Sequence, residues 1–222
     1  MNRIAHYILL LWSFFAVDSL NAQEALIPMP LNVQWSENKL DLSKGVHLEI
    51  DKSIEKNEVS LLKNILESQS ISISKNKKLP SISLKMVSSL EIGSDEGYEL
   101  NIDAKGIHIQ ALASKGIFYA LQTLVQMDFH EKQVAFVNIK DQPAYSFRGF
   151  LLDVGRNYQP MSMVKEQIDV MAKYKLNVLH FHFTEDIAWR LESKKYPGLT
   201  AAENMTRWAG KYYTVAEFQE LI

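Results

Sequence analysis

Two nearly unbroken apolar runs constrain this chain more than any other feature: residues 149–154 (GFLLDV) and 177–183 (NVLHFHF). A strand with one face in water alternates apolar and polar residues, whereas a strand covered on both faces has no need to. Each run is therefore read as a strand buried on both faces. Between them, residues 162–174 place Val164, Ile168, Met171 and Ala172 on one side of a helix. Another amphipathic helical stretch opens at Thr214. Strand, helix, strand, helix at this spacing begins a parallel βα array, because parallel neighbours need a crossover of about a dozen residues or more. Closing a barrel takes eight such units over ~250 residues. Residues 143–222 are thus expected to be the opening of a (β/α)₈ barrel, with the chain breaking off inside a helix at Ile222.

The preceding residues have another texture. Strand-like segments cover 32–35, 39–42, 46–50 and 81–87. Residues 97–103 and 106–112 are two strands joined by Ala104-Lys105, a hairpin signal, and 134–139 is a further strand. Residues 58–68 carry a helical stripe through Val59, Leu61, Leu62, Ile65 and Leu66. Residues 114–127 carry another through Ile117, Phe118, Leu121, Leu124 and Val125. Two helices among several strands predict a small α+β domain over residues 23–142. Asp141-Gln142-Pro143 is the expected junction, since proline stops helices and central strands alike.

Residues 1–22 stand apart from both regions. Arg3 precedes an apolar run over residues 4–17, and a more polar stretch then ends on Ala22. That order is read as a secretory signal peptide cut after Ala22, placing the mature protein outside the cell or in the periplasm. A run of ~14 residues falls short of the ~20 that a spanning helix needs, and no later run is longer. A net charge of -2 supplies no basic field for nucleic acid. The absence of cysteine excludes disulfides, thiolate metal sites and a cysteine nucleophile.

In a βα barrel the chemistry gathers where strands end. Asp153, Arg156, Asn157 and Tyr158 close the first strand; Thr184, Glu185 and Asp186 close the second, with Trp189 and Arg190 just beyond. Carboxylates and an arginine hydrogen-bond sugar hydroxyls at fixed angles, and aromatic faces cover the ring. The same residues also suit an ion pair closing the barrel rim, with Tyr158 and Trp189 packing under a loop. His180 and His182 share a strand face, as a zinc site would require. They precede the strand end among Leu179, Phe181 and Phe183, without a third ligand, and are read as hydrogen-bonded core histidines. A metal-dependent barrel hydrolase and a non-catalytic glycan-binding protein are the competing readings.

The stretch from Phe147 to Tyr158 (FRGFLLDVGRNY) resembles the first barrel strand of glycoside hydrolase family 20, the β-N-acetylhexosaminidases. The stretch from Lys173 to Asp186 (KYKLNVLHFHFTED) is similar to their second strand, and WRLE and KKYPGLT continue the likeness. Upstream, GYEL at 97–100 and GIFYALQTL at 116–124 resemble the family's smaller α+β domain. The resemblance implies a retaining, exo-acting enzyme without a cofactor that releases terminal β-linked N-acetylglucosamine or N-acetylgalactosamine from glycans. In that route the sugar's own acetamide is the nucleophile. It implies that Arg156 binds hydroxyls of the terminal sugar, with Asp153, Glu185, Asp186 and Trp189 supporting it. Glu185 matches the first acid of a pair that in relatives contacts a histidine from a later strand; many relatives have aspartate there. The general-acid glutamate and its aspartate partner are expected beyond Ile222, so residues 1–222 alone are expected to be inactive.

Overall fold

The computed structural model describes residues 26–222; the signal peptide read in residues 1–22 lies outside them. Its first part is a seven-stranded mixed sheet. In chain order the strands are β1 (Asn32–Asp41), β2 (Val46–Ile50), β3 (Ile73–Ser74), β4 (Ser81–Met86), β5 (Tyr98–Asp103), β6 (Gly106–Ala111) and β7 (Gln133–Asp141). Across the sheet they run β1-β7-β5-β6-β4-β2-β3. The β1, β7, β5 and β6 strands pair antiparallel, and β6, β4, β2 and β3 pair parallel. The expected β5–β6 hairpin forms. The two short strands expected at 32–35 and 39–42 are one strand. Its register against β7 shifts between Trp35 and Lys39, so the polar Ser36-Glu37-Asn38 is absorbed as a bulge without ending the pairing.

One residue row shows why this sheet has a single covered face. Ile139, Leu100, Ile109, Leu84 and Ile50 lie side by side across five strands. The next row, displaced by one residue, is Asn138, Asn101, His108, Ser83 and Glu49. Period-two alternation thus sends the apolar set to the core and the polar set to the other side. Helices α1 (Lys56–Ser68) and α2 (Ser114–Val125) contribute Leu62, Leu66, Ile117, Leu121 and Leu124 to that core. Gly116 lets α2 approach the sheet, since a Cβ there would lie 2.3 Å from the Gly97 carbonyl oxygen.

Strands β8 (Gly149–Asp153) and β9 (Val178–His182) follow, paired in parallel with Asp153 beside His182 and joined through α3 (Met161–Lys173). A two-residue turn at Asp186-Ile187 then closes a minimal hairpin of β10 (Thr184–Glu185) and β11 (Ala188–Trp189). Thr214 and Glu217 cap α4 (Val215–Gln219) reciprocally. No helix among the described residues is long and apolar enough to cross a membrane. Of the two faces of β8 and β9 that the apolar runs predict to be buried, the described residues cover one. Leu152 and Phe181 pack with Val164 and Tyr213 on the helix side, while Leu151 and His180, adjacent on the opposite face, are exposed. Nothing among the described residues covers that second face.

The junction at Asp141 is not a loose linker. Asp141 ends β7, is buried, and accepts from Lys175 Nζ at 2.9 Å and from the Tyr98 hydroxyl at 2.9 Å. Lys175 Nζ also donates to Tyr98 Oη at 2.8 Å. Beside them Arg148 pairs with Glu96 at 2.8 Å and donates to the Lys175 carbonyl and to Tyr119 Oη. This polar seam ties the seven-stranded sheet to the N-terminal ends of β8 and β9.

Burial pushes the Tyr98 phenol well above its usual value, and the Asp141 charge adds to that. Burial likewise raises Tyr119, Tyr158 and Tyr213. Above about pH 10 the unfolded chain therefore loses tyrosine protons that the folded chain keeps. Protons bound in the unfolded state are then fewer than in the folded state, so stability falls as pH rises. Burial lowers Lys175 and Arg190, which act in the opposite sense but are outnumbered by the tyrosines. Thermal melts from pH 8 to 11 should show a steep drop in melting temperature above about pH 10; a flat profile there would contradict the tyrosine burial.

Candidate active site

At the C-terminal ends of β8 and β9 the structure brings Asp153, Arg156 and Glu185 together. The Arg156 guanidinium lies 3.1 Å from Asp153 Oδ2 and 2.9 Å from Glu185 Oε1, bridging the two strand ends. The backbone N–H of Arg156 also donates to Asp153 Oδ1 at 2.9 Å, so one carboxylate both shapes the turn and holds the side chain above it. Gly155 permits this closeness: a Cβ there would lie 3.1 Å from both Glu185 Cγ and the Thr184 carbonyl carbon. The Arg156 side chain remains 60% exposed, against 20% and 17% for its partners. Two sheltered carboxylates thus aim a cation at solvent, a geometry suited to hydroxyl groups.

His182 completes the cluster. Its Nε2 lies 2.8 Å from the Thr184 carbonyl oxygen and 3.4 Å from Glu185 Oε1. A carbonyl can only accept, so Nε2 carries the proton. The expectation of two hydrogen-bonded core histidines holds for His182 in its bonding only, since the ring is 35% exposed. His180 lies on the face of β9 that no other described residue covers, and its ring is exposed. Among the described residues His180 joins no cluster of metal-ligating groups. The ligand atoms within 4.8 Å of one another belong to Asp153, His182 and Glu185. Arg156 already places its positive charge on both of those carboxylates, so a divalent cation there would face electrostatic repulsion.

The remaining residues expected at the site divide. Asp186 sits exposed at the tip of the β10–β11 turn, and Trp189 is 37% exposed with its indole N–H donating to the Leu191 carbonyl. Both line an open groove of about 590 Å³ with Tyr196 and Asn204. Tyr158 stacks on buried Tyr213 with ring centres 5.1 Å apart, so it packs and does not face the groove. Arg190 is fully buried. Its five N–H groups face five carbonyls, those of Val154, Gly155, Arg207, Trp208 and Lys211, with Met205 Sδ 3.3 Å from Nη1. It stitches the loop around residue 208 onto the end of β8.

That loop carries the residue the sequence reading missed. Trp208, half exposed, donates its indole N–H to Asn157 Oδ1 at 3.1 Å, and Arg207 donates to the Arg156 carbonyl. A tryptophan in a polar loop was the only local signal. It lies 51 residues from Asn157 in the chain, too far for any periodicity to connect them.

The profile described as "Glycosyl hydrolase family 20, domain 2" matches residues 23–142, and "Glycosyl hydrolase family 20, catalytic domain" matches residues 145–222. A β-hexosaminidase of Porphyromonas gingivalis is 38% identical over 144 residues, covering 58% of this chain and 18% of its own. The N,N'-diacetylchitobiase of Vibrio harveyi is 31% identical over 180 residues, covering 79% of this chain and 20% of its own. The chain therefore spans about a fifth of the length of these two relatives. Among solved structures, the β-N-acetylhexosaminidase of Bacteroides fragilis superposes with a TM-score of 0.74 at 28% identity, over 90% of this chain and 42% of that one. A Vibrio harveyi exo-β-N-acetylglucosaminidase solved with N-acetylglucosamine also gives 0.74, at 27% identity, over 90% of this chain and 34% of that one.

Proposed function

The chain belongs to glycosyl hydrolase family 20, and from that premise we propose that the protein carrying it is a secreted, exo-acting β-N-acetylhexosaminidase. Its substrates are glycans ending in β-linked N-acetylglucosamine or N-acetylgalactosamine. One observation carries most of the weight: Arg156, held by Asp153 and Glu185 across two parallel strand ends, presents a fixed cation to solvent, which supports reading it as the arginine that binds the terminal sugar. Charge-assisted hydrogen bonds from a guanidinium select hydroxyl geometry, and holding the arginine between two carboxylates preorganises it. Trp189 and Asp186 border the adjoining groove, where an aromatic face and an acid suit a pyranose ring.

In the proposed route, a glutamic acid protonates the leaving glycosidic oxygen while the acetamide oxygen of the substrate attacks the anomeric carbon. A neighbouring aspartate orients that acetamide, and water then opens the cyclic intermediate with net retention. Both acids are assigned to a later barrel strand. The part played by residues 143–222 is to grip and orient the terminal sugar, and the route draws on no cofactor.

The test uses the intact protein on an aryl N-acetyl-β-glucosaminide. Proton NMR should detect the β-anomer of N-acetylglucosamine first, and the secreted enzyme should begin at Gln23. Initial release of the α-anomer, or no release at all, would overturn the proposed activity; an uncleaved leader would overturn only the secretion.

A further inference from the structure

The two carboxylates that hold Arg156 are themselves held in different ways. Asp153 is locked by its own turn, because its Oδ1 accepts the backbone N–H of Arg156. Glu185 has one more methylene and no such backbone anchor; its Oε1, 2.9 Å from Arg156, lies 3.4 Å from His182 Nε2. The Nε2–H donates to the Thr184 carbonyl at 2.8 Å, and the Glu185 carboxylate stands 3.4 Å from the same nitrogen as a close polar contact. The imidazole therefore holds the backbone leading into Glu185 by a hydrogen bond and lies against the acid's charged end. On its other side Glu185 rests against Gly155. His182 also stands directly beside Asp153 in the β8–β9 register, so the ring closes the group from the strand side.

We propose that His182 is a positioning residue for substrate binding: it fixes Glu185, and Glu185 in turn aims Arg156 at the terminal sugar. This rests on the reading of Arg156 as the sugar-binding cation. A histidine that served only packing would support the fold without touching affinity. A histidine that acts through Glu185 and Arg156 has an effect that disappears once Arg156 is gone. Non-additivity of that kind marks residues working in one chain of contacts.

The experiment measures KM and kcat of the intact enzyme on an aryl N-acetyl-β-glucosaminide, Ki for free N-acetylglucosamine, and melting temperature. The variants are His182→Leu, His182→Gln, Arg156→Ala and the Arg156→Ala/His182→Leu pair. His182→Leu should raise KM and Ki by several-fold, up to about tenfold, the scale of one lost hydrogen bond, with a smaller change in kcat. His182→Gln keeps an N–H donor near the Nε2 position and should recover most of that loss. The double variant should be no worse than Arg156→Ala alone. Additive losses in the double variant, or unchanged KM and Ki in His182→Leu, would overturn the positioning role and leave the role of Arg156 standing. Unchanged KM and Ki in Arg156→Ala itself would overturn the sugar-binding reading, and this inference with it. If His182→Leu does not fold, His182→Asn takes its place, since its amide ends short of Glu185 and predicts the same pattern.

Discussion

Replacing Asp141 with alanine should cost this fold about 3–5 kcal/mol, the scale for removing one partner of a buried ion pair. The Lys175 side chain is 7% exposed, and Asp141 carries the countercharge at 2.9 Å. With the carboxylate gone, the ammonium keeps only the Tyr98 hydroxyl as a polar partner for its charge. Chemical denaturation of the intact protein would read the loss as a lower midpoint. The pair Asp141→Ala/Lys175→Met should recover much of it, because an apolar replacement removes the stranded charge as well as its partner. The surviving folded fraction should keep its KM, since the seam sits before β8 and β9 begin while Arg156 and Glu185 lie past their far ends. A loss of under about 1 kcal/mol, the scale of an exposed pair, would show that water reaches this seam.

Arg156→Ala should do the reverse. A charge-assisted hydrogen bond to substrate is worth about 1.5–3 kcal/mol, so kcat/KM should fall at least about tenfold. The melting temperature should hardly change, because a side chain 60% exposed contributes an ion pair of about 0–1 kcal/mol. Arg148 supplies the internal comparison at the start of the same strand. It is 17% exposed, pairs with Glu96 at 2.8 Å, and donates to the carbonyls of Lys175 and Tyr145 and to the Tyr119 hydroxyl. Arg148→Ala should therefore lower the melting temperature and spare kcat/KM. If the two arginines exchange these behaviours, the substrate-facing role given to Arg156 is wrong.

What the sequence determined alone was local and periodic. Alternation placed β4, β5 and β6, the 3.6-residue stripe placed α1, α2 and α3, and Ala104-Lys105 marked the hairpin, because each signal is carried by residues within one or two turns of one another. The convergence of Asp153, Arg156 and Glu185 was also legible, since parallel pairing of two strands separated by one helix brings their C-terminal ends together. Tertiary structure alone decided which charges are buried and what they hold. Lys175 meets Asp141 across 34 residues and Tyr98 across 77, and Arg190 closes its carbonyl cage with residues up to 36 positions away. In the sequence Lys175, Arg156 and Arg190 are simply cations near strand ends. One becomes the pin of an inter-sheet seam, one a solvent-facing grip and one the keystone of a loop. The cost of desolvating a charge depends on every group packed around it, and that surrounding exists only once distant segments have folded together.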